Sequence, residues 1–204
     1  MMQIAFEVDP AHWVDIPDRF HDESWAKSSA AELLAARGDR RDPAFLEAVL
    51  DALGRLPRDP TVTARLALFG EIESRYWLLD VRVAGEGTAP DAQAVREANP
   101  TMPGKHVEDQ LVGGKFRGTR RYEPAFIMDP EWSGLRSEES RSELLVPTFV
   151  YLFSLPGVDP GAGNVVVEAA LSHFVLEEAV MAFPAVEQVL GSLQVREQES
   201  SIHA

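Results

Sequence analysis

Cysteine is absent from all 204 residues of the chain. This absence excludes disulfide bonds, thiolate metal ligands, a cysteine nucleophile and a lipid anchor on cysteine. The first residues, MMQIAFEVDPAHW, lack the basic start and the apolar run that are typical of a signal peptide. No apolar stretch approaches the roughly 20 residues that a membrane-spanning helix needs. We therefore expect a cytoplasmic protein without membrane association.

Positive charge is scarce, since 19 Lys and Arg stand against 33 Asp and Glu, a formal net charge of −14. A general affinity for nucleic acid is disfavoured because phosphates would meet a like-charged surface. Segment 105–122 is the exception, with five basic and two acidic residues. We call four of its cations the basic island: Lys115, Arg117, Arg120 and Arg121. They are predicted either to bind an anionic partner or to offset the chain's own carboxylates.

The hydrophobic periodicity predicts helices early and late in the chain, with strands between them. Apolar residues at helical spacing after Asp42-Pro43 predict a helix that ends near Leu56. A period of two over 62–68 and 76–84 predicts an antiparallel hairpin. Strands are also expected over 144–155 and 165–174, and a final helical stretch contains Pro184 as a kink or a new start.

No repeat or composition shift divides the chain, so residues 1–204 are predicted to form one α+β domain. We expect a mainly antiparallel sheet that is covered by helices. Three segments are expected to lie outside this framework. They are an irregular N-terminal cover segment at 9–22, a long loop at 85–105, in which residues 91–98 can form a short helix, and a frayed tail at 196–204.

The motifs of common active sites are missing from the sequence. There is no Gly-x-Ser-x-Gly nucleophile elbow, no phosphate-binding loop spacing and no His-Glu-x-x-His pair. Ser172 and His173 are neighbours on a predicted strand, so their side chains would point to opposite faces. Neither a catalytic residue nor a cofactor is predicted.

Two other groups of residues are candidate sites. His12, Asp15 and His21 lie within a segment rich in Asp and His, and they are provisional ligands for a metal-assisted hydrolase. Their spacing fits no standard metal site. Trp132 is surrounded by turn residues and is predicted to be an exposed contact for a partner.

The ending VVVEAALSHF, followed by FPAVEQVLGSLQV, resembles the close of the PsbP-like superfamily. In that superfamily a late strand precedes a helix and a short final strand. The resemblance implies an adaptor domain that binds partners without catalysing a reaction, and it carries over no site residue. We therefore expect a non-catalytic module that binds another protein, with the metal-assisted hydrolase as the alternative.

Overall fold

The chain is described by a computed structural model over residues 2–18, 24–40, 42–70, 75–98, 106–123, 125–127, 144–157, 163–173 and 175–197. Its strands are β1 (Met2–Ala5), β2 (Trp13–Ile16), β3 (Val62–Phe69), β4 (Tyr76–Glu86), β5 (Val107–Val112), β6 (Phe116–Tyr122), β7 (Ala125–Ile127), β8 (Leu144–Val146), β9 (Thr148–Leu155), β10 (Val165–Ser172) and β11 (Gln194–Glu197). Its helices are α1 (Trp25–Ala36), α2 (Ala44–Gly54), α3 (Ala92–Ala98), α4 (Leu176–Met181) and α5 (Phe183–Ser192).

A seven-stranded sheet in the order β2-β3-β4-β10-β9-β6-β5 forms the centre of the molecule. Every neighbouring pair in it is antiparallel. Strand β10 lies near the middle and alternates buried with half-buried residues along its whole length. Because successive side chains in a strand point to opposite faces, this alternation places one face of the sheet against the main core.

The more deeply buried face packs against α5, and we call it the α5 face. Leu79, Tyr151 and Val167 of the sheet lie in one cluster with Val186 and Leu190 of α5. The helix presents these apolar residues at a spacing of four, which puts them on one side. Burying this interface removes apolar side chains of both layers from water and stabilises the fold.

The opposite face is covered by α1 and α2 near β2 and β3, and we call it the α1–α2 face. Leu33 and Leu50 of these helices pack on Phe69. Arg65 of β3 joins the sheet to the segment that follows α2. Its Nε lies 2.7 Å from Asp80 Oδ1 on β4, and the same guanidinium donates to the backbone oxygen of Leu56 at 3.2 Å. Arg65 is buried, so these partners offset the free-energy cost of removing its charge from water.

The structure confirms the prediction of a single α+β domain built on an antiparallel sheet. The predicted hairpin is β3–β4, and the strand predicted over 165–174 is β10. Pro184 lies in the first turn of α5, so it marks a new helix. Pro147 separates β8 from β9, which divides the single strand that the sequence predicts there.

The three segments expected to be irregular contain regular structure and need correction. Segment 9–22 contains β2, which pairs with β3, and segment 85–105 begins inside β4. The short helix that the sequence offers at 91–98 is α3. Residues 196 and 197 of the expected tail belong to β11, which pairs with β1. These strands are short and find their partners far away along the chain, so local pattern does not disclose them. The remaining parts, 19–22, 99–105 and 198–204, lie outside the described residues.

The turn between β5 and β6 packs directly against α5 through two glycines. Gly113 has a φ of +61°, and a Cβ placed on it would overlap the Cα of Gly191. A Cβ on Gly191 would in turn lie 2.6 Å from the Gly113 oxygen. Glycine is therefore required at Gly113 for two reasons, the left-handed backbone and the close approach.

Replacing Gly113 by alanine tests this contact, and Gly114 is the matched control. Gly114 has a φ of +65° but nothing within 4 Å of an added Cβ. Left-handed backbone strain should lower the free energy of unfolding of both Gly113→Ala and Gly114→Ala by about 1–2 kcal/mol. The free energy of unfolding of Gly113→Ala should fall by about 1–3 kcal/mol more, because the added methyl group overlaps α5. Urea unfolding monitored by tryptophan fluorescence measures the difference, and equal losses would contradict the tight packing.

Candidate functional site

The hairpin β5–β6 carries the whole basic island, but the structure divides it. Arg120 lies opposite Glu108 in the register, whereas Arg117 lies opposite Leu111. Alternation along β6 places Arg120 on the α5 face, and Arg117 with Arg121 on the other face. Lys115 lies in the turn. The four cations therefore form no single patch.

Arg120 is held inside the molecule by a carboxylate and an aromatic ring. Its Nη2 donates to Glu108 Oε2 at 2.6 Å, and its guanidinium lies 4.1 Å from the centre of the Phe183 ring. Glu108 Oε1 also lies 2.9 Å from His106 Nε2. These contacts lower the pKa of Glu108, and the hydrogen bond from Arg120 is the largest cause. Arg120 is thus engaged in an ion pair within the chain.

A phenol lies beneath this ion pair. The Tyr151 side chain is fully buried, and among the described residues its hydroxyl has no hydrogen-bond partner at ordinary geometry. Burial raises the pKa of Tyr151, and the charge of Glu187 raises it further, although the Arg120 guanidinium opposes them. Tyr151 therefore stays neutral near pH 7. A neutral, enclosed phenol serves the packing of the α5 face and is poorly suited to act as a base.

Glu187 of α5 accepts two hydrogen bonds from the β5–β6 hairpin on the α5 face. Its Oε1 accepts a hydrogen bond from Gln110 Nε2 at 3.2 Å, and its Oε2 accepts the Gly113 N–H. A carboxylate that accepts backbone and amide N–H groups makes charge-assisted bonds, which are stronger than neutral ones. The position of the turn is therefore set by α5.

Arg121 is also neutralised within the chain. Its Nε lies 2.9 Å from Glu123 Oε2, and only 18% of its side chain is exposed. Arg120, at 20% exposure, is similarly covered. Two members of the basic island thus offset the protein's own carboxylates, which is one of the two roles that the sequence predicts for it.

Lys115 and Arg117 behave differently from the other two cations. Both are exposed, and within the described part of the chain neither has a carboxylate within ion-pair distance. Lys115 Nζ lies 4.9 Å from the centre of the Phe116 ring. Leu111, the cross-strand neighbour of Arg117, is 60% exposed. We call Leu111, Lys115 and Arg117 the hairpin-tip surface.

A polar cavity of about 490 Å³ lies beside Arg117, between the segment that precedes α3 and the sheet. It is lined by Thr88, Ala89, Pro90, Asp91, Asp109, Arg117, Gly118, Ser154 and Asn164. Asp91 Oδ1 accepts the Ala94 N–H at 2.7 Å, and Asp109 Oδ1 accepts the Ala92 N–H at 3.3 Å. Both carboxylates are therefore bound to the first turn of α3. The cavity was missed by sequence reasoning because its walls come from separate segments, and only Arg117 had been identified.

The candidate metal ligands are only partly described. His12 Nδ1 lies 3.1 Å from Asp9 Oδ2, and Asp15 is exposed on β2. Among the residues that the structure describes, no group of three His, Cys, Asp or Glu side chains could hold a metal ion. His21 lies outside the described residues, as does Trp132. The metal site and the Trp132 contact therefore stay predictions.

Comparison with known proteins adds no relative. No family model matches the chain, and no curated protein matches it. In the described part of the chain, no helix is long and apolar enough to cross a membrane.

The lowered pKa of Glu108 predicts how its ion pair depends on pH. Because the pKa is lower in the folded chain than its ordinary value of 4.5, ionised Glu108 stabilises the fold above that pH. This stabilisation should be lost as the pH falls through the lower, folded-state pKa. Glu108→Gln should therefore be less stable than the wild type at pH 7, and the difference should shrink towards pH 3.

Urea unfolding at pH 7, 5, 4 and 3 measures this effect. Glu32→Gln is the control, because Glu32 is exposed on α1. The control should follow the wild type at each pH to within about 0.5 kcal/mol. A gap between Glu108→Gln and the wild type that does not change with pH would contradict the assigned ion pair.

Proposed function

We propose that this chain is a non-catalytic protein-interaction module, and that its hairpin-tip surface binds an acidic segment of a partner protein. One observation carries the proposal. Of the four cations in the basic island, two are paired with carboxylates, whereas the two at the tip have no carboxylate partner among the residues that the structure describes. A cation that a protein leaves unpaired and exposed is available to a partner of opposite charge.

The charge and the apolar side chain around the hairpin tip favour an acidic partner segment over other partners. The chain as a whole is acidic, with a formal net charge of −14, so it repels most acidic proteins at long range. Lys115 and Arg117 supply a local positive field within the screening distance of salt, about 8–10 Å. Leu111 adds an exposed apolar side chain next to Arg117. An acidic segment with an apolar residue nearby would match both features.

The expectations drawn from the sequence fit this proposal. The order β10, α4, α5, β11 is a late strand, helices and a short final strand, which is the order that the resemblance to the PsbP-like superfamily implies. That resemblance, with the adaptor role it implies, remains an expectation. So do the cytoplasmic location and the alternative of a metal-assisted hydrolase.

Charge reversal at the tip tests the proposal. The full-length chain is immobilised, exposed to lysate of the native cell at low salt, and its captured proteins are quantified by mass spectrometry. Lys115→Glu/Arg117→Glu should lose the specific partner. Lys27→Glu/Arg40→Glu is the matched control, because both residues are exposed and the net charge changes equally. The control should retain the partner.

The captured partner is then purified, and its association rate is measured at 50 and 300 mM salt. The rate should fall with salt for the wild type and for the control, because oppositely charged surfaces steer association. Both double variants should melt within a few degrees of the wild type, since exposed charges contribute about 0–1 kcal/mol to stability. Equal capture by the two variants, or a rate that salt does not change, would exclude the hairpin tip as the binding surface.

A further inference from the structure

We propose that the polar cavity beside Arg117 is a carboxylate pocket, in which Arg117 binds one carboxylate of the partner segment. This inference rests on the proposed function and names the chemistry that its surface recognises. The carboxylate could belong to an Asp or Glu side chain or to the end of a chain. The experiment below distinguishes these two sources.

The size of the cavity suits a side chain or a chain end. Its volume of about 490 Å³ falls within the roughly 300–1,000 Å³ that is usual for sites that bind small ligands. A single projecting group would enter the cavity, while the rest of the partner lies on the hairpin-tip surface.

Among the described residues that line the cavity, Arg117 is the one cation, and the geometry leaves its charge available. The two acids of the lining, Asp91 and Asp109, are bound to backbone N–H groups of α3. No ion pair joins either of them to Arg117 in the described part of the chain. A guanidinium donates from a planar fork that matches the two oxygens of a carboxylate.

The charge of the lining selects among anions. Among the lining residues that the structure describes, two carboxylates and one guanidinium give a formal charge of −1. A dianionic phosphate would therefore meet stronger repulsion than a monoanionic carboxylate would. This difference favours a carboxylate and disfavours a phosphorylated ligand.

Neutral donors complete the pocket. The Ser154 hydroxyl oxygen accepts the Ala89 N–H at 2.8 Å, so its own proton is free to be donated. Asn164 also lines the cavity, and its side-chain amide carries N–H donors. A carboxylate held by Arg117 could accept from these groups through its remaining lone pairs. Further acids of the partner would lie outside the cavity, where Lys115 is exposed.

Nuclear magnetic resonance on the full-length, ¹⁵N-labelled chain tests the pocket. The Nε–H resonance of Arg117 and the amides of Ala89 and Ser154 are followed during titration with four probes. The first is acetyl-Gly-Gly-Gly with a free terminal carboxylate, and the second is acetyl-Gly-Glu-Gly-amide. The third is acetyl-Gly-Gln-Gly-amide, which has no carboxylate, and the fourth is inorganic phosphate.

One or both of the carboxylate probes should produce saturable shifts at all three positions, and the better of the two identifies the source. The Gln peptide should produce none, and phosphate should bind more weakly. Arg117→Gln should lower the affinity for the carboxylate probe by about tenfold or more, because it removes a charge-assisted pair. Arg55→Gln, the same change at an exposed arginine of the α2 end, should leave binding unchanged.

Any of three results would refute the proposed carboxylate pocket. They are the absence of saturable shifts with either carboxylate probe up to 50 mM, equal binding of the Gln peptide, and binding by Arg117→Gln that matches the wild type. Failure of the pocket can be separated from failure of the proposed function. If Lys115→Glu/Arg117→Glu loses the captured partner and no carboxylate probe shifts the resonances, the carboxylate pocket is refuted and the proposed function is not. If the carboxylate probes bind and the same double variant still captures the partner, the pocket is supported and the hairpin tip is refuted as the partner surface.

Discussion

The pairing of β6 with a strand on each side is the constraint on which the candidate site depends. β9 lies on one side and β5 on the other, so β6 cannot rotate or slip without breaking two ladders. Gly118 shows how close this approach is, because a Cβ on it would overlap the Leu152 oxygen. Since a slip of one residue would exchange the two faces, this register alone decides which arginines meet α5 and which meet solvent.

Helix α5 extends this control to the hairpin turn. The Glu187 carboxylate bonds to Gln110 and to the Gly113 N–H, and Gly191 packs on Gly113. The exposed Lys115 side chain therefore projects from a backbone that is fixed before any partner arrives. Association then costs less conformational entropy than it would for a mobile loop, because only side chains need to be ordered.

The distribution of ion pairs gives the acidic chain a local surface of opposite sign. Internal carboxylates neutralise Arg120 and Arg121, and backbone N–H groups of α3 bind Asp91 and Asp109. Among the described residues, these pairings leave cations at the hairpin tip whose charges are not offset at short range. The local sign of this surface therefore depends on which charges the fold pairs, and less on how many charges each segment carries.

The sequence by itself determined the elements with a strong local period, such as α2 and the hairpin β3–β4, and the position of the basic island. Those features depend on side chains close together in the chain, where a helical or alternating pattern is visible. Only the tertiary structure decided that β2 and β11 are strands, since their partners β3 and β1 lie far away along the chain. It also decided which arginine meets a carboxylate, and that Asn164 and Arg117 line one cavity. Such contacts form when folding brings distant segments together, and local periodicity carries no record of them.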